Sequence, residues 1–162
     1  MKRSTIVVLI ILASIAFFFA NRYWRAANIE FSDVKVYDMN NEYASLSSLA
    51  KGPTIIHFYA SWCGPCMKEL PQLLEYAKTD GQNFNIILIT DDDANKMHRV
   101  IRQADGSAVV RRVNSLKETS IYSIPATYFL NAEGKVVEKD LGEQDWANPE
   151  FRKEVAEMLQ SK

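Results

Sequence analysis

Cysteine is scarce in this chain, with two in 162 residues. Both stand in one stretch, Trp62-Cys63-Gly64-Pro65-Cys66. No further pair remains for a structural disulfide, and none is required at this length. Nor is there a third or fourth cysteine to complete a zinc site with Cys63 and Cys66. Acidic residues are absent before Glu30, so Lys2, Arg3, Arg22 and Arg25 stand unopposed at the N-terminus. From Glu30 onward 15 basic residues face 20 acidic ones, a balance of −5. That argues against nucleic acid as a partner, because phosphate binding needs a basic face. Internal repeats are missing too, and the 48% hydrophobic and 24% charged fractions are those of an ordinary globular domain.

What is present begins with an apolar run from Thr5 to Ala20, flanked by Lys2-Arg3 and by Asn21-Arg22-Tyr23-Trp24-Arg25. As a helix it would span roughly 24 Å, slightly short of a hydrocarbon core of about 30 Å. Tyr23 and Trp24 suit the interface and extend that reach. A cleaved secretory signal would want small residues in an A-x-A-like arrangement, but Phe18 sits two before Ala20 and Arg25 precedes Ala26-Ala27. A buried core helix fits poorly with the flanking arginines. The expectation is an uncleaved signal anchor over residues 1–25, a tether over 26–33 and one domain over 34–162. The charge bias places the N-terminus in the cytoplasm and the domain outside, in a disulfide-permissive compartment.

Along the domain, Val34 to Tyr37 alternates as a strand and Leu46 to Gly52 reads as a short turn or helix. Residues 53–60 form an apolar strand. Cys63 to Lys78 has helical periodicity, with a kink expected at Pro71. Asn85 to Thr90 is apolar on both faces, as in a central parallel strand. Asp91-Asp92-Asp93 caps a helix near 94–104, which explains the acidic cluster without a metal. Ala126 to Leu130 and Lys135 to Lys139 flank Asn131-Ala132-Glu133-Gly134, a hairpin signal. Pro149 to Gln160 closes as an amphipathic helix. This order predicts an α/β sheet with helices on both faces.

A Cys-x-x-Cys at a strand-to-helix corner carries a mechanism. The helix N-terminus favours a thiolate on Cys63, Gly64-Pro65 opens the helix and leaves Cys63 exposed, and Cys66 resolves a mixed disulfide. Together with Ser123-Ile124-Pro125-Ala126-Thr127, the motif resembles the active site and cis-proline loop of thioredoxin-fold proteins. The anchor, the Leu46-to-Lys51 lead-in, the Leu130-to-Val136 hairpin and the 59-residue gap from Cys66 to Pro125 are similar to the TlpA/ResA/DsbE-like subfamily. That gap suggests the subfamily's extra element.

The resemblance implies a three-layer thioredoxin-like fold with a central mixed sheet, preceded by one transmembrane helix. It implies Cys63 as nucleophile, Cys66 as resolving thiol, a redox disulfide between them, Trp62 as a shield and a cis peptide at Pro125. Ile124 would offer its main chain to the substrate, and Glu69 would place a carboxylate near the thiols. His57 departs from the pattern, since thioredoxins carry an acid there and many relatives an Asn. It is either a general base for Cys66 or a neutral, hydrogen-bonded replacement. His98 lies in a polar helix and is expected in solvent, and Trp146 is expected to cover the sheet edge near the last helix. No cofactor or metal is implied. The implied partners are a disulfide-bearing client, such as apocytochrome c or a copper-delivery protein, a membrane thiol donor of the DsbD/CcdA kind and the membrane itself. Gly-Pro between the cysteines and Ile before the proline favour a reductant. An oxidant that donates disulfides and a copper chaperone are the alternatives. A peroxidase would want Thr where Ala60 stands.

Overall fold

The computed structural model describes residues 11–14, 16–17, 31 and 34–160. Residues 11–14 and 16–17 are helical; the rest of the expected anchor, and the tether apart from Phe31, lie outside the described residues. Among the described residues no helix is long and apolar enough to cross a membrane.

The chain runs β1 (Lys35–Tyr37), β2 (Tyr43–Ser45), α1 (Leu46–Leu49), β3 (Thr54–Phe58), α2 (Gly64–Lys78), β4 (Asn85–Thr90), α3 (Ala94–Ala104), β5 (Val109–Arg112), a 3-10 turn (Leu116–Thr119), β6 (Ala126–Leu130), β7 (Val136–Leu141) and α4 (Pro149–Leu159). The strands form one sheet in the order β2-β1-β5-β4-β3-β6-β7. β3 is central, parallel to β4 and antiparallel to β6. All five of its residues are buried, which explains the unbroken apolar reading of this stretch.

The 59-residue gap holds α3, the additional parallel strand β5 and the 3-10 turn. β2 and β5 escape a reading by periodicity because strands of 3 and 4 residues are too short to show one. The helices divide less evenly than expected. Buried side chains of α2, α3 and α4 all join one cluster with Ile55, Leu88 and Phe129. The opposite face of the sheet, with Ile56, Phe58, Ile87 and Tyr128, is covered by Phe31, Leu46 of α1 and Leu116 of the 3-10 turn. α2 is a single helix through Pro71.

The hairpin between β6 and β7 turns on Asn131, which is 4% exposed. Its Oδ1 accepts main-chain N–H groups from Glu133 at 3.2 Å and Lys135 at 3.0 Å, and Gly134 takes the positive φ of 76° that closes the turn. Asn131→Ala therefore strands two donors. It is expected to lower stability by about 1–3 kcal/mol, read as a lower urea midpoint with an unchanged m-value.

Candidate active site

β3 ends at Phe58, and the chain turns across the top of the sheet to reach α2. Tyr59 N–H donates to the Ile89 carbonyl at 2.9 Å. Ser61 is held by Asp92, which accepts its N–H at 2.8 Å and its hydroxyl at 2.6 Å, while Thr90 Oγ1 donates to the same carboxylate at 3.0 Å. The acidic cluster thus divides its work. Asp92 ties the loop that carries Trp62 and Cys63 to the end of β4, and Asp93 is the N-cap of α3.

Cys63 is the N-cap of α2, and its Sγ accepts the Cys66 N–H at 3.3 Å. The two cysteines form a disulfide. Cys63 is 7% exposed and Cys66 0%. The expectation of an exposed Cys63 is corrected in degree: the residue is buried, yet it remains the more accessible of the two. A sulfur at this N-terminus sits among unpaired amides and the positive end of the helix dipole, which stabilises a thiolate. Across from it, the Ile124–Pro125 peptide is cis, and the Ile124 carbonyl lies 3.8 Å from Cys63 Sγ. Gly142 N–H, at the end of β7, holds the Pro125 carbonyl at 2.9 Å. Gly64 and Pro65 form the first turn of the helix. Trp62 stands in solvent at 70% exposure, and Tyr122 at 77% and Met67 at 40% add exposed apolar surface beside the same two segments. His98 is exposed.

Below the disulfide lies a polar seam. Strand alternation turns Ile55, His57 and Tyr59 to the α2 side of the sheet. The register sets Thr127 of β6 opposite His57, and Asp140 of β7 opposite Thr127. His57 and Glu69 are both fully buried. His57 Nδ1 lies 2.9 Å from Thr127 Oγ1 and 3.9 Å from Glu69 Oε1. Glu69, one turn after Cys66 on α2, accepts a hydrogen bond from Trp146 Nε1 at 2.7 Å.

Burial pushes the His57 imidazole down to about 3. It also raises Glu69 to about 7; the Trp146 indole and the Gln144 main-chain N–H pull the other way, and Glu143 and Asp140 raise it further. Trp146, Thr127 and Asp92 had no functional signal in the sequence, because their partners lie 77, 70 and 31 residues away.

The two buried groups act on stability with opposite signs. Folded His57 binds its proton more weakly than the unfolded chain, so stability falls as pH drops from 6.5 toward about 3. Folded Glu69 binds its proton more tightly, so stability falls as pH rises from 4.5 toward about 7. The slopes oppose each other between pH 4.5 and 6.5, and only that of His57 acts below. Relative to the unmodified chain, His57→Asn should become more stable as pH falls from 6.5 to 4, by up to about 1.4 kcal/mol per pH unit, in urea melts at the two pH values. A parallel loss in both proteins would contradict a buried neutral imidazole.

Residues 27–139 match the AhpC/TSA family. Over 149 residues the chain is 28% identical to the thiol-disulfide oxidoreductase ResA of a Bacillus cereus strain, covering 86% of each. It is also 28% identical over 97 residues to the sporulation thiol-disulfide oxidoreductase A of Bacillus subtilis, covering 55% of this chain and 59% of that one. A secreted Mycobacterium tuberculosis disulfide oxidoreductase, homologous to E. coli DsbE, has a similar fold. Its TM-score is 0.63 at 16% identity, covering 80% of this chain and 99% of that one. The fold is thioredoxin-like, and the chain belongs to the AhpC/TSA family, with relatives named as thiol-disulfide oxidoreductases of the ResA kind.

Proposed function

We propose that this chain is a membrane-anchored, extracytoplasmic thiol–disulfide oxidoreductase that reduces the disulfide of a specific client protein. The observation that carries the reading is the Cys63–Cys66 disulfide at the N-terminus of α2, facing the carbonyl before a cis-proline. In the dithiol form the helix N-terminus holds Cys63 as a thiolate. It attacks the client disulfide, and the departing client sulfur takes up a proton. Cys66 then gives its proton to Glu69 and attacks Cys63 Sγ, expelling the second client sulfur. That sulfur takes a proton from solvent, and Glu69 later returns its own to solvent. The client leaves with two thiols, and the oxidoreductase keeps the disulfide. Two electrons and two protons from a membrane thiol donor of the DsbD/CcdA kind restore the dithiol.

Between the two buried candidates, Glu69 is the proton acceptor. An imidazole held near 3 does not retain a proton at working pH, whereas a carboxyl near 7 both accepts and releases one. His57 stays neutral and bonded to Thr127. That also argues against copper carriage, because the imidazole is sealed from solvent. Ala60 supplies no hydroxyl beside Cys63, so peroxide reduction lacks the group expected for it.

Trp62, Met67 and Tyr122 give an exposed apolar rim suited to a polypeptide client. The Ile124 main chain is positioned to pair with the client's extended segment. Gly64-Pro65 and Ile124 favour the reducing direction, and apocytochrome c or a copper-delivery protein is the client class. Residues 1–25 serve as the anchor, 26–33 as the tether and 34–162 as the domain outside the membrane, with Lys2 and Arg3 on the cytoplasmic side.

Cys66→Ser keeps the attacking sulfur and removes the resolving one. It is expected to accumulate the client as a mixed disulfide in membranes of its host, released by dithiothreitol. Cys63→Ser should accumulate none. Adducts on Cys63→Ser and none on Cys66→Ser would reverse the assignment.

A further inference from the structure

We propose that Trp146 is a positioning residue for the redox step, its indole N–H fixing the Glu69 carboxylate beside His57 beneath the first turn of α2. The inference rests on Glu69 accepting the Cys66 proton. Both ends of the Trp146–Glu69 bond are fully buried, and Nε1 and Oε1 stand 2.7 Å apart. Packing alone does not call for an indole. The ring lies among Tyr76, Phe129 and Phe151, with centroids at 5.1, 6.3 and 5.2 Å, where another aromatic would fill the space. A buried indole N–H is costly unless bonded, and here its acceptor is the ionisable group nearest the imidazole. The main chain is fixed as well: Arg152 Nε donates to the Trp146 carbonyl, and Arg152 reaches Asp80 at 2.9 Å.

The surroundings explain why this donor matters. His57 faces Glu69 from β3 as a neutral ring, and Thr127 beside it is uncharged. Asp140 from β7 and Glu143 from the following loop add negative charge, and Lys68 on α2 is turned outward to Glu143. The Gln144 main-chain N–H is the other group favouring the carboxylate. Without the indole, Glu69 keeps its burial and its acidic neighbours and loses the side-chain donor that favours ionisation. Its proton affinity rises, and the carboxylate that must receive the Cys66 proton becomes rarer at neutral pH.

The test uses the full-length reduced chain in detergent and 5,5′-dithiobis(2-nitrobenzoate) as the disulfide. Cys63 thiolate attack releases one thionitrobenzoate, and Cys66 attack on the mixed disulfide releases the second, so the two steps are read separately. In the unmodified chain the second release should rise with pH through a break near neutral pH. Trp146→Phe should move that break to higher pH, slow the second release about tenfold at neutral pH and leave the first unchanged, the two proteins converging in alkali. Glu69→Gln should abolish that near-neutral break and leave only the alkaline rise from ionisation of the Cys66 thiol itself. A Trp146→Phe profile with an unmoved break, alongside a Glu69→Gln profile without one, would overturn the role of Trp146 alone. A near-neutral break that survives Glu69→Gln would overturn Glu69 as acceptor. Should Trp146→Phe fail to fold, benzothienylalanine at position 146 keeps the shape without the N–H. In the unmodified chain the Trp146 indole proton resonance should shift with the same midpoint as the kinetic break; an unshifted resonance would also overturn the proposal.

Discussion

The seam between β3 and α2 is the constraint on which the site depends. Ile55 and Tyr59 of the β3 segment share one cluster with Cys66, Leu70 and Leu73 of α2. Burying that apolar surface seats the helix on β3 and sets its N-terminus, with Cys63 as cap, beyond the C-terminal end of that strand. The same packing places Glu69 and His57 where water does not reach. A carboxyl in such a place must be bonded, protonated or both by turns. Trp146 supplies the bond, and burial brings the proton affinity to the range where both forms occur. Chemistry at the rim and proton handling in the interior are therefore two consequences of one packing decision.

Much of this was legible in the sequence where the signal is local. Trp62 to Cys66 follows an apolar strand and opens a helix, and the thioredoxin likeness of Ser123 to Thr127 pointed to the cis peptide found at Pro125. The Asn131–Gly134 turn fixed the partners β6 and β7. His57 stood out because it sits inside a buried strand where thioredoxins carry an acid and many relatives an Asn. What it bonds to was not legible, since Thr127 meets it only through the register of β3 and β6, 70 residues apart. Trp146 reads as a core aromatic for the same reason. Nothing local marks its N–H as the partner of a helix carboxylate. Asp92 reads as part of a helix cap, and only the closure of β3 against β4 brings Ser61 to it.

Cys63 and Cys66 differ in access. Cys63 keeps a small residual exposure and faces the Ile124 carbonyl, and Cys66 has no exposure. The more accessible Cys63 is the one proposed to meet the client disulfide first. The direction of the exchange depends on how strongly the dithiol is stabilised relative to the disulfide, a balance set by the helix terminus, the buried carboxyl and the residues between the cysteines.

That balance is the most direct measurement of the central claim. Equilibrating the full-length chain in glutathione or dithiothreitol buffers and following the Cys63–Cys66 couple yields its reduction potential. The account predicts a value near that of a thioredoxin-type reductant, about −270 mV. A value near that of a strong oxidant, about −120 mV, would contradict it and make the protein a donor of disulfides.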